Sequence, residues 1–377
     1  MRDERLDILR GYAMVTIVLN HFAVLLFQVG LDGFPIPTLT YFGFSSAAEI
    51  FFLMSGWMVG LVYLRRPNRD ALVLKRAAKI YAFNVIAFVA AIFAAWLAGP
   101  AVAKATDVSF TLAHPLTEVA RFLVFLQHPF LLGVLMLYVL FMLAVPLAAR
   151  LLDRSPALLI AASGAIYLTV QVVPQLNLPG GAPNGDLQWN FNPLAWQLLF
   201  FVGMWLGKIG FHRTAFDYFA GRIVVTAALV ALLLLCAVLY RLDLRGVLSV
   251  PFVGKENLEP VRLVHAVFVV ATLAALIANA PSILKPVLDW LALNGRQTLY
   301  CFTASIPLTY LATGLWLAVG GGYVAYLAIA ALMVLVITLV ALLAERWRGS
   351  RKPAGLGHQD AAASDSAGAL VGQPPTR

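Results

Sequence analysis

Two residues near the amino terminus, Arg10 and His21, have types and a spacing that could do chemistry. On an α-helix the eleven-residue step between them turns the chain by about 1100°, so both side chains lie within roughly 20° of one stripe, about 16 Å apart along the axis. His21 lies in an otherwise apolar run, and an ionisable side chain at membrane depth normally faces a bundle interior or a wet cavity. His21 is therefore a candidate general base. The alternative is a structural histidine that is hydrogen-bonded to a neighbour.

Glu49 is a second ionisable residue at the start of an apolar run. A hairpin connection makes the first two helices expected neighbours, so Glu49 is predicted to approach His21 from the outer side of the membrane. A carboxylate beside an imidazole favours one tautomer and raises its basicity, as a general base requires. In the alternative interpretation, Glu49 pairs with an arginine or a backbone group and serves folding alone.

Basic residues are concentrated between positions 65 and 79, and the cluster ends with Lys75, Arg76 and Lys79. Such a cluster could hold the phosphates of a nucleotide-like cofactor. It could equally be a topology signal that contacts lipid phosphates. Charge alone leaves both interpretations open.

Candidates for an acceptor site lie on the predicted outer side. Aromatic and amide side chains there could form a platform for a sugar, or an interfacial belt at the membrane surface. Snorkelling and capping at helix ends are a further explanation. The candidates are Trp189, Asn192, Gln197 and Arg262, with His128 and Tyr138 as additional residues.

The composition is that of a membrane protein. Of the 377 residues, 61% are hydrophobic and 12% are charged, whereas soluble domains have about 25% charged residues. The apolar runs predict an all-α, polytopic transmembrane bundle of ten spans. These spans are 11–29, 47–64, 80–98, 131–149, 157–174, 194–211, 222–240, 262–279, 297–318 and 323–344.

The distribution of basic residues predicts the orientation. Lys and Arg concentrate at the amino terminus, in the even-numbered connections and at the start of the tail, so the positive-inside rule places both termini in the cytoplasm. The net charge of +9 is thus explained by topology and not by binding to nucleic acid. Residues 1–345 are predicted to form the membrane domain, and 346–377 a disordered cytoplasmic tail. Neither cysteine, Cys236 nor Cys301, has a metal-ligand spacing, so no metal is predicted.

Several motifs resemble a known family. The Arg10-x10-His21 spacing resembles the signature of the acyltransferase-3 superfamily of membrane acyltransferases, and further motifs resemble its OpgC branch. The resemblance covers about residues 2–345. The motifs are Arg5–Gly11, Ser46–Gly56, Tyr138 with Pro146, Phe191–Gln197 and Leu293–Leu299.

This resemblance implies transfer of an acyl group across the membrane. An acyl-CoA would bind from the cytoplasm, with succinyl-CoA as a candidate donor, and a hydroxyl of a periplasmic glucan would accept the acyl group in a bacterial inner membrane. His21 would be the base, Arg10 would hold the cofactor or the histidine, and Glu49 would be the superfamily's acidic residue. Arg76 and Lys79 would lie near the CoA phosphates. The chain departs from the superfamily in its ninth helix, where a frequent histidine is replaced by the segment Cys301–Ser305.

Two other functions stay open. A transporter or glycan-export channel without catalysis could use His21 and Glu49 as a proton relay, although no repeated halves with broken helices are evident in the sequence. An enzyme acting on lipid-linked sugars would be expected to have an outer loop rich in Arg and Asp, and the outer loops here are poor in both. The sequence names no protein partner.

Overall fold

The computed structural model describes residues 3–181 and 189–350, and the architecture of this part is helical. Each of the ten predicted apolar runs lies in a long helix. The long helices are α1 (Glu4–Gln28), α2 (Ala47–Val62), α3 (Arg69–Ala98), α7 (Gly133–Arg154), α8 (Pro156–Val172), α9 (Pro193–Ile209), α11 (Ile223–Leu244), α12 (Pro260–Ala278), α14 (Thr298–Ala318) and α15 (Tyr323–Ser350). The short helices are α4 (Pro100–Ala105), α5 (Val108–Ala113), α6 (Pro115–Leu123), α10 (Phe211–Phe219) and α13 (Lys285–Arg296).

Seven helices of the described part are long and apolar enough to cross a membrane. They are α1, α3, α7, α11, α12, α14 and α15. Helices α9 and α10 would make an eighth span if counted together, but an 83° bend separates them. Helices α2 and α8 are apolar but shorter. The protein is therefore a multi-pass helical membrane protein, while the count of ten spans and the cytoplasmic termini stay predictions.

Local capping defines where α1, α2 and α9 begin. Asp3 caps α1 by accepting a hydrogen bond from the backbone N–H of Arg5 at 3.0 Å. Ser46 and Glu49 form a capping box at the start of α2, an arrangement that satisfies otherwise unpaired backbone donors. Before α9, the Asn192 side chain accepts from the N–H of Leu194 at 3.0 Å.

Glycines allow two helix pairs to pack backbone to backbone. A Cβ atom added to Gly56 of α2 would lie 1.9 Å from the carbonyl oxygen of Phe200 in α9, and one added to Gly203 would lie 2.2 Å from that of Leu53. In the same way, a Cβ atom on Gly11 of α1 would lie 1.7 Å from the carbonyl oxygen of Leu291 in α13. Small residues at such crossings let membrane helices approach closely. They hold α1 and α2 in fixed positions beside α13 and α9.

Helix α3 begins earlier than the sequence predicts. The predicted span covers 80–98, whereas the helix starts at Arg69 and includes Lys75, Arg76 and Lys79. Because Lys, Arg and Ala are good helix formers, the segment continues the apolar helix without a break. The basic cluster thus lies on a rigid helical extension.

Two internal or terminal segments lie outside the described residues. The connection before Trp189 includes residues 182–188, and the predicted tail includes 351–377. Residues 346–350, assigned to the tail from the sequence, are the last turn of α15.

Candidate active site

A cavity of about 290 Å³ lies beside His21. Its walls come from the second half of α1, the start of α2 and the chain segments that precede α7, α9 and α12. These are the connections that the sequence places on the outer side of the membrane. The polar lining residues are Asn20, His21, Thr40, Tyr41, Ser46, His128, Asn190 and Lys255.

His21 is half-buried, and its imidazole lies edge-on to the ring of Phe302 with 6.2 Å between ring centroids. The Nδ1 atom is buried and has no hydrogen-bond partner in the described part of the chain. Within the described residues, no carboxylate is hydrogen-bonded to Nδ1. His21 lines the cavity as a neighbour of Asn20 and Ser46, where a substrate could reach it.

Glu49 does not contact His21 among the residues described here. One of its oxygens pairs with the Nε of Arg262. The other accepts from the backbone N–H of Ser46 at 2.8 Å and from its hydroxyl at 2.7 Å. The predicted approach to His21 is absent because both oxygens are engaged elsewhere. The geometry matches the alternative of a pairing that serves folding, and a catalytic role of Glu49 stays a prediction.

Arg10 lines a second, narrower cavity of about 20 Å³ together with Arg76, Tyr138 and Thr298. The Arg10 guanidinium donates to Thr298 Oγ1 at 2.5 Å and to Asp7 Oδ1 at 3.2 Å. Asp7 and Thr298 thereby fix the position of the guanidinium. Arg76 reaches this cavity from the amino-terminal part of α3, which brings two guanidinium groups to one place.

Two packed aromatic rings line the narrower cavity, and one of them also lines the wider cavity. Phe302 of α14 lines both cavities, and Phe51 of α2 lines the narrower one. Their ring centroids are 5.6 Å apart. Arg10 and His21 therefore lie on one helix but in separate cavities, with Phe302 between them.

The other two members of the basic cluster are at the surface. The Lys79 ammonium lies 5.5 Å from the centroid of the Tyr300 ring and 3.5 Å from its hydroxyl oxygen. Lys75 is exposed. Both remain available to a phosphate, whereas Arg76 alone of the three lines the cavity.

Three predicted acceptor residues have internal partners and do not line the cavity beside His21. Buried Trp189 donates from Nε1 to the carbonyl oxygen of Pro179 at 3.1 Å. Asn192 donates to the carbonyl oxygen of Leu176 at 2.7 Å, in addition to capping α9.

Gln197 donates from Nε2 to the carbonyl oxygen of Ser163 at 2.8 Å, and the Ser163 hydroxyl donates back to its Oε1 at 2.6 Å. Gln197 thereby joins α8 to α9. Arg262, the fourth candidate, is the partner of Glu49. Asn190 and Phe191, which are their sequence neighbours, line the cavity instead.

Lys255 lines this cavity although no sequence motif marks it. It precedes α12, its side chain is accessible, and its ammonium lies 4.8 Å from the centroid of the Phe191 ring. The surrounding protein lowers the pKa of Lys255 by desolvation. The sequence does not single it out, since it is one of six charged residues among positions 241–261.

His128 lies in the segment before α7 and lines the same cavity. The side chain is buried, and neither ring nitrogen has a hydrogen-bond partner within the described residues. Burial lowers its pKa to about 4, so the imidazole is neutral at physiological pH. The site therefore has two histidines, of which the sequence had singled out His21 first.

A comparison with known protein families gives a match along nearly the whole chain. The family model described as OpgC protein matches residues 2–349. The chain belongs to the OpgC family. This membership confirms the resemblance to OpgC, and the name points to modification of osmoregulated periplasmic glucans. No curated protein and no solved structure matches the chain.

The OpgC match begins before α1 and ends within the last turn of α15. Both cavities and all of their lining residues lie inside it. The link from OpgC to the wider acyltransferase-3 superfamily stays a prediction from the motifs.

Proposed function

We propose that the protein is a membrane O-acyltransferase, which moves a short acyl group from a cytoplasmic acyl-CoA to a hydroxyl of a periplasmic glucan. The observation that carries this proposal is the arrangement along α1. Arg10 and His21 lie in separate cavities on the same helix, and Phe302 lines both. A site with a cationic end, a narrow aromatic passage and a histidine fits a donor that reaches in from one side and an acceptor from the other.

The cationic end fits the donor. Arg10 and Arg76 line the narrow cavity, and Lys75 and Lys79 extend the positive charge along the exposed part of α3. Guanidinium and ammonium groups are suitable partners for the phosphates of CoA. CoA is too large and too polar to cross the bilayer, but its acyl arm could pass between Phe51 and Phe302 if these rings move apart.

His21 supplies the base for the transfer. As the acceptor hydroxyl oxygen attacks the thioester carbonyl carbon, the imidazole takes the hydroxyl proton. The C–O bond forms, the C–S bond breaks, and the departing thiolate takes the proton from the imidazolium. A two-step route through an acyl-histidine uses the same residue as nucleophile, and both routes are compatible with an imidazole that has no carboxylate partner.

The wider cavity fits the acceptor. Its aromatic rings, Phe191 and Tyr41, and its amides, Asn20 and Asn190, are suitable for a hydroxyl-rich ligand. A volume of about 290 Å³ is at the lower end of ligand cavities, which span roughly 300–1,000 Å³. It would therefore admit the end of a glucan and leave the remainder outside. In this proposal both termini are cytoplasmic, ten helices span a bacterial inner membrane, and succinyl is the candidate acyl group.

The alternative of a proton-relaying transporter is not favoured by the site. Proton transfer between His21 and Glu49 would require a hydrogen-bonded path that joins them. The Glu49 carboxylate is instead bound to Arg262 and Ser46. No described contact replaces that link.

Mass spectrometry of periplasmic glucans tests the proposed function. Cells that carry the protein should contain glucans with an added acyl mass, and cells that lack it or carry His21→Ala should not. His114→Ala is the matched control, because His114 is exposed and lies outside both cavities. Unacylated glucans in the wild type, or full acylation with His21→Ala at equal expression, would contradict the proposal.

A further inference from the structure

Lys255 gives the wider cavity a single formal charge. No other Lys or Arg and no Asp or Glu lines this cavity, all of whose lining residues are described. The ammonium lies over the ring of Phe191 and forms no ion pair within the described residues. The cavity therefore combines one positive charge with an otherwise uncharged lining of apolar and polar side chains.

The nearest ionised pair does not neutralise Lys255. Glu49 and Arg262 both act electrostatically on Lys255, in opposite directions. Because they form an ion pair with each other, their charges largely cancel at the ammonium. The Lys255 ammonium is accessible and has no paired counter-charge in the cavity, so an anionic group there could form a charge-assisted hydrogen bond with it.

The backbone around Lys255 is held in place. Its carbonyl oxygen accepts from the indole N–H of Trp196 at 3.1 Å and from the N–H of Leu258 at 3.2 Å. The next carbonyl oxygen, that of Glu256, accepts from the N–H of Asn192 at 3.0 Å. The lysine therefore extends into the cavity from a turn anchored on α9, as a preorganised binding group does.

The positions of the basic residues, Phe302 and His21 in the two cavities indicate which part of the donor lies near Lys255. Arg10 and Arg76 line the narrow cavity, Phe302 lines both cavities, and His21 and Lys255 line the wider one. A thioester that enters past Phe302 presents its carbonyl carbon to His21. The distal end of the acyl group then lies in the cavity that contains Lys255.

We propose that Lys255 binds a carboxylate at the distal end of the transferred acyl group, and so selects dicarboxylic acyl donors over uncharged ones. This inference rests on the proposed acyl transfer. It assigns acyl-group selectivity to one residue, which acts by charge pairing within a cavity that has no other charged group.

The test compares two donors of equal carbon number in the full-length protein reconstituted in lipid nanodiscs. Succinyl-CoA has a distal carboxylate and butyryl-CoA has a methyl group. The measured quantity is the ratio of kcat/KM for succinyl transfer to kcat/KM for butyryl transfer, with a glucan acceptor. Lys255→Gln should lower this ratio about ten- to a hundredfold, since a hydrogen bond to a charged group contributes about 1.5–3 kcal/mol. Lys255→Arg should retain most of the ratio.

Lys104→Gln is the matched control, because Lys104 is an exposed lysine that lines neither cavity. It should leave the ratio at the wild-type value. An equal loss for both donors with Lys255→Gln would overturn the proposal and assign the ammonium to the oxyanion or the acceptor. An unchanged ratio would also overturn it.

Binding in a variant that does not turn over provides a second measurement. In a His21→Ala background, succinyl-CoA should bind more tightly than butyryl-CoA, and adding Lys255→Gln should remove most of that difference. Equal binding of the two donors before Lys255 is changed would contradict the proposal. If the wild type transfers neither acyl group, the proposed function itself fails, which is a distinct result.

Discussion

At the residue scale, His21 and Glu49, which the sequence predicts to cooperate, differ in their contacts. His21 faces the cavity with Nδ1 unpartnered, whereas Glu49 is fully buried and pairs with Arg262. Ionic partners this deep are costly to separate, because the remaining charge stays buried. Glu49 thus joins α2 to α12 next to Ser46, which lines the cavity beside His21.

Glu49→Gln is expected to lower the free energy of unfolding without shifting the pH dependence of the reaction rate. Loss of the buried ion pair should cost about 3 kcal/mol, and Arg262→Gln should cost a similar amount. The midpoint of the pH–rate profile should stay at the wild-type value because the carboxylate does not contact His21. Denaturant unfolding in detergent and a pH–rate profile measure these effects.

The matched control is Arg245→Gln, since Arg245 is exposed on the same predicted side of the membrane. Its stability should stay close to that of the wild type. A shifted pH–rate midpoint in Glu49→Gln, with stability retained, would instead show that the carboxylate tunes the histidine.

His128 makes the free energy of unfolding depend on pH. The pKa of its buried imidazole is lowered to about 4, whereas an unfolded histidine has a pKa of about 6.5. Between these values the unfolded chain binds a proton that the folded chain does not, so stability falls as the pH falls below about 6.5. At pH 5 this contribution should reach about 2 kcal/mol.

His128→Gln should therefore lose less stability than the wild type when the pH is lowered from 7.5 to 5. Unfolding free energies at the two pH values measure the difference, and exposed His114→Gln should behave like the wild type. Identical pH dependence of the wild type and His128→Gln would show that the ring is already protonated or solvated when folded.

At the element scale, glycines determine how closely α2 approaches α9. A Cβ atom on Gly203 would lie 2.2 Å from the carbonyl oxygen of Leu53. Since α2 carries Ser46 and Phe51, its distance from α9 affects both cavities. A small change in the distance between α2 and α9 is therefore expected to alter both cavities without changing Arg10 or His21.

Gly203→Ala should destabilise the protein by about 1–3 kcal/mol, because α2 and α9 must separate to admit the methyl group. Gly164→Ala is the matched control in α8, where no atom lies within 4 Å of the added Cβ. There the substitution should be neutral or stabilising by about 0.5–1 kcal/mol, because alanine favours a helix more than glycine. Thermal unfolding in detergent compares the two, and equal shifts would exclude the backbone contact as the cause.

At the scale of the whole molecule, local patterns predicted the helices, and long-range packing determined the site. Each apolar run lies in a helix because its length and hydropathy are local properties. The partner of Glu49 is 213 positions away, and no spacing rule connects such residues. Lys255 carried no motif and entered the site only because the turn before α12 packs against α9.

The predicted acceptor residues illustrate the same limit of prediction from local sequence patterns. The sequence indicated a segment that reaches the cavity, but it selected Trp189 and Asn192, which are buried and bonded to the backbone, whereas Asn190 and Phe191 line the cavity. Which residues of an irregular segment face a cavity depends on its turns, and these follow from tertiary contacts.

Transfer across a closed membrane tests the central claim most directly. Proteoliposomes oriented with the amino terminus outside would receive radiolabelled acyl-CoA outside and contain glucan inside. Acylated glucan should accumulate inside with the wild type and with His114→Ala, and not with His21→Ala. Acylated glucan at the wild-type level with His21→Ala, or transfer only when donor and glucan share one compartment, would contradict a transmembrane acyl transfer at His21.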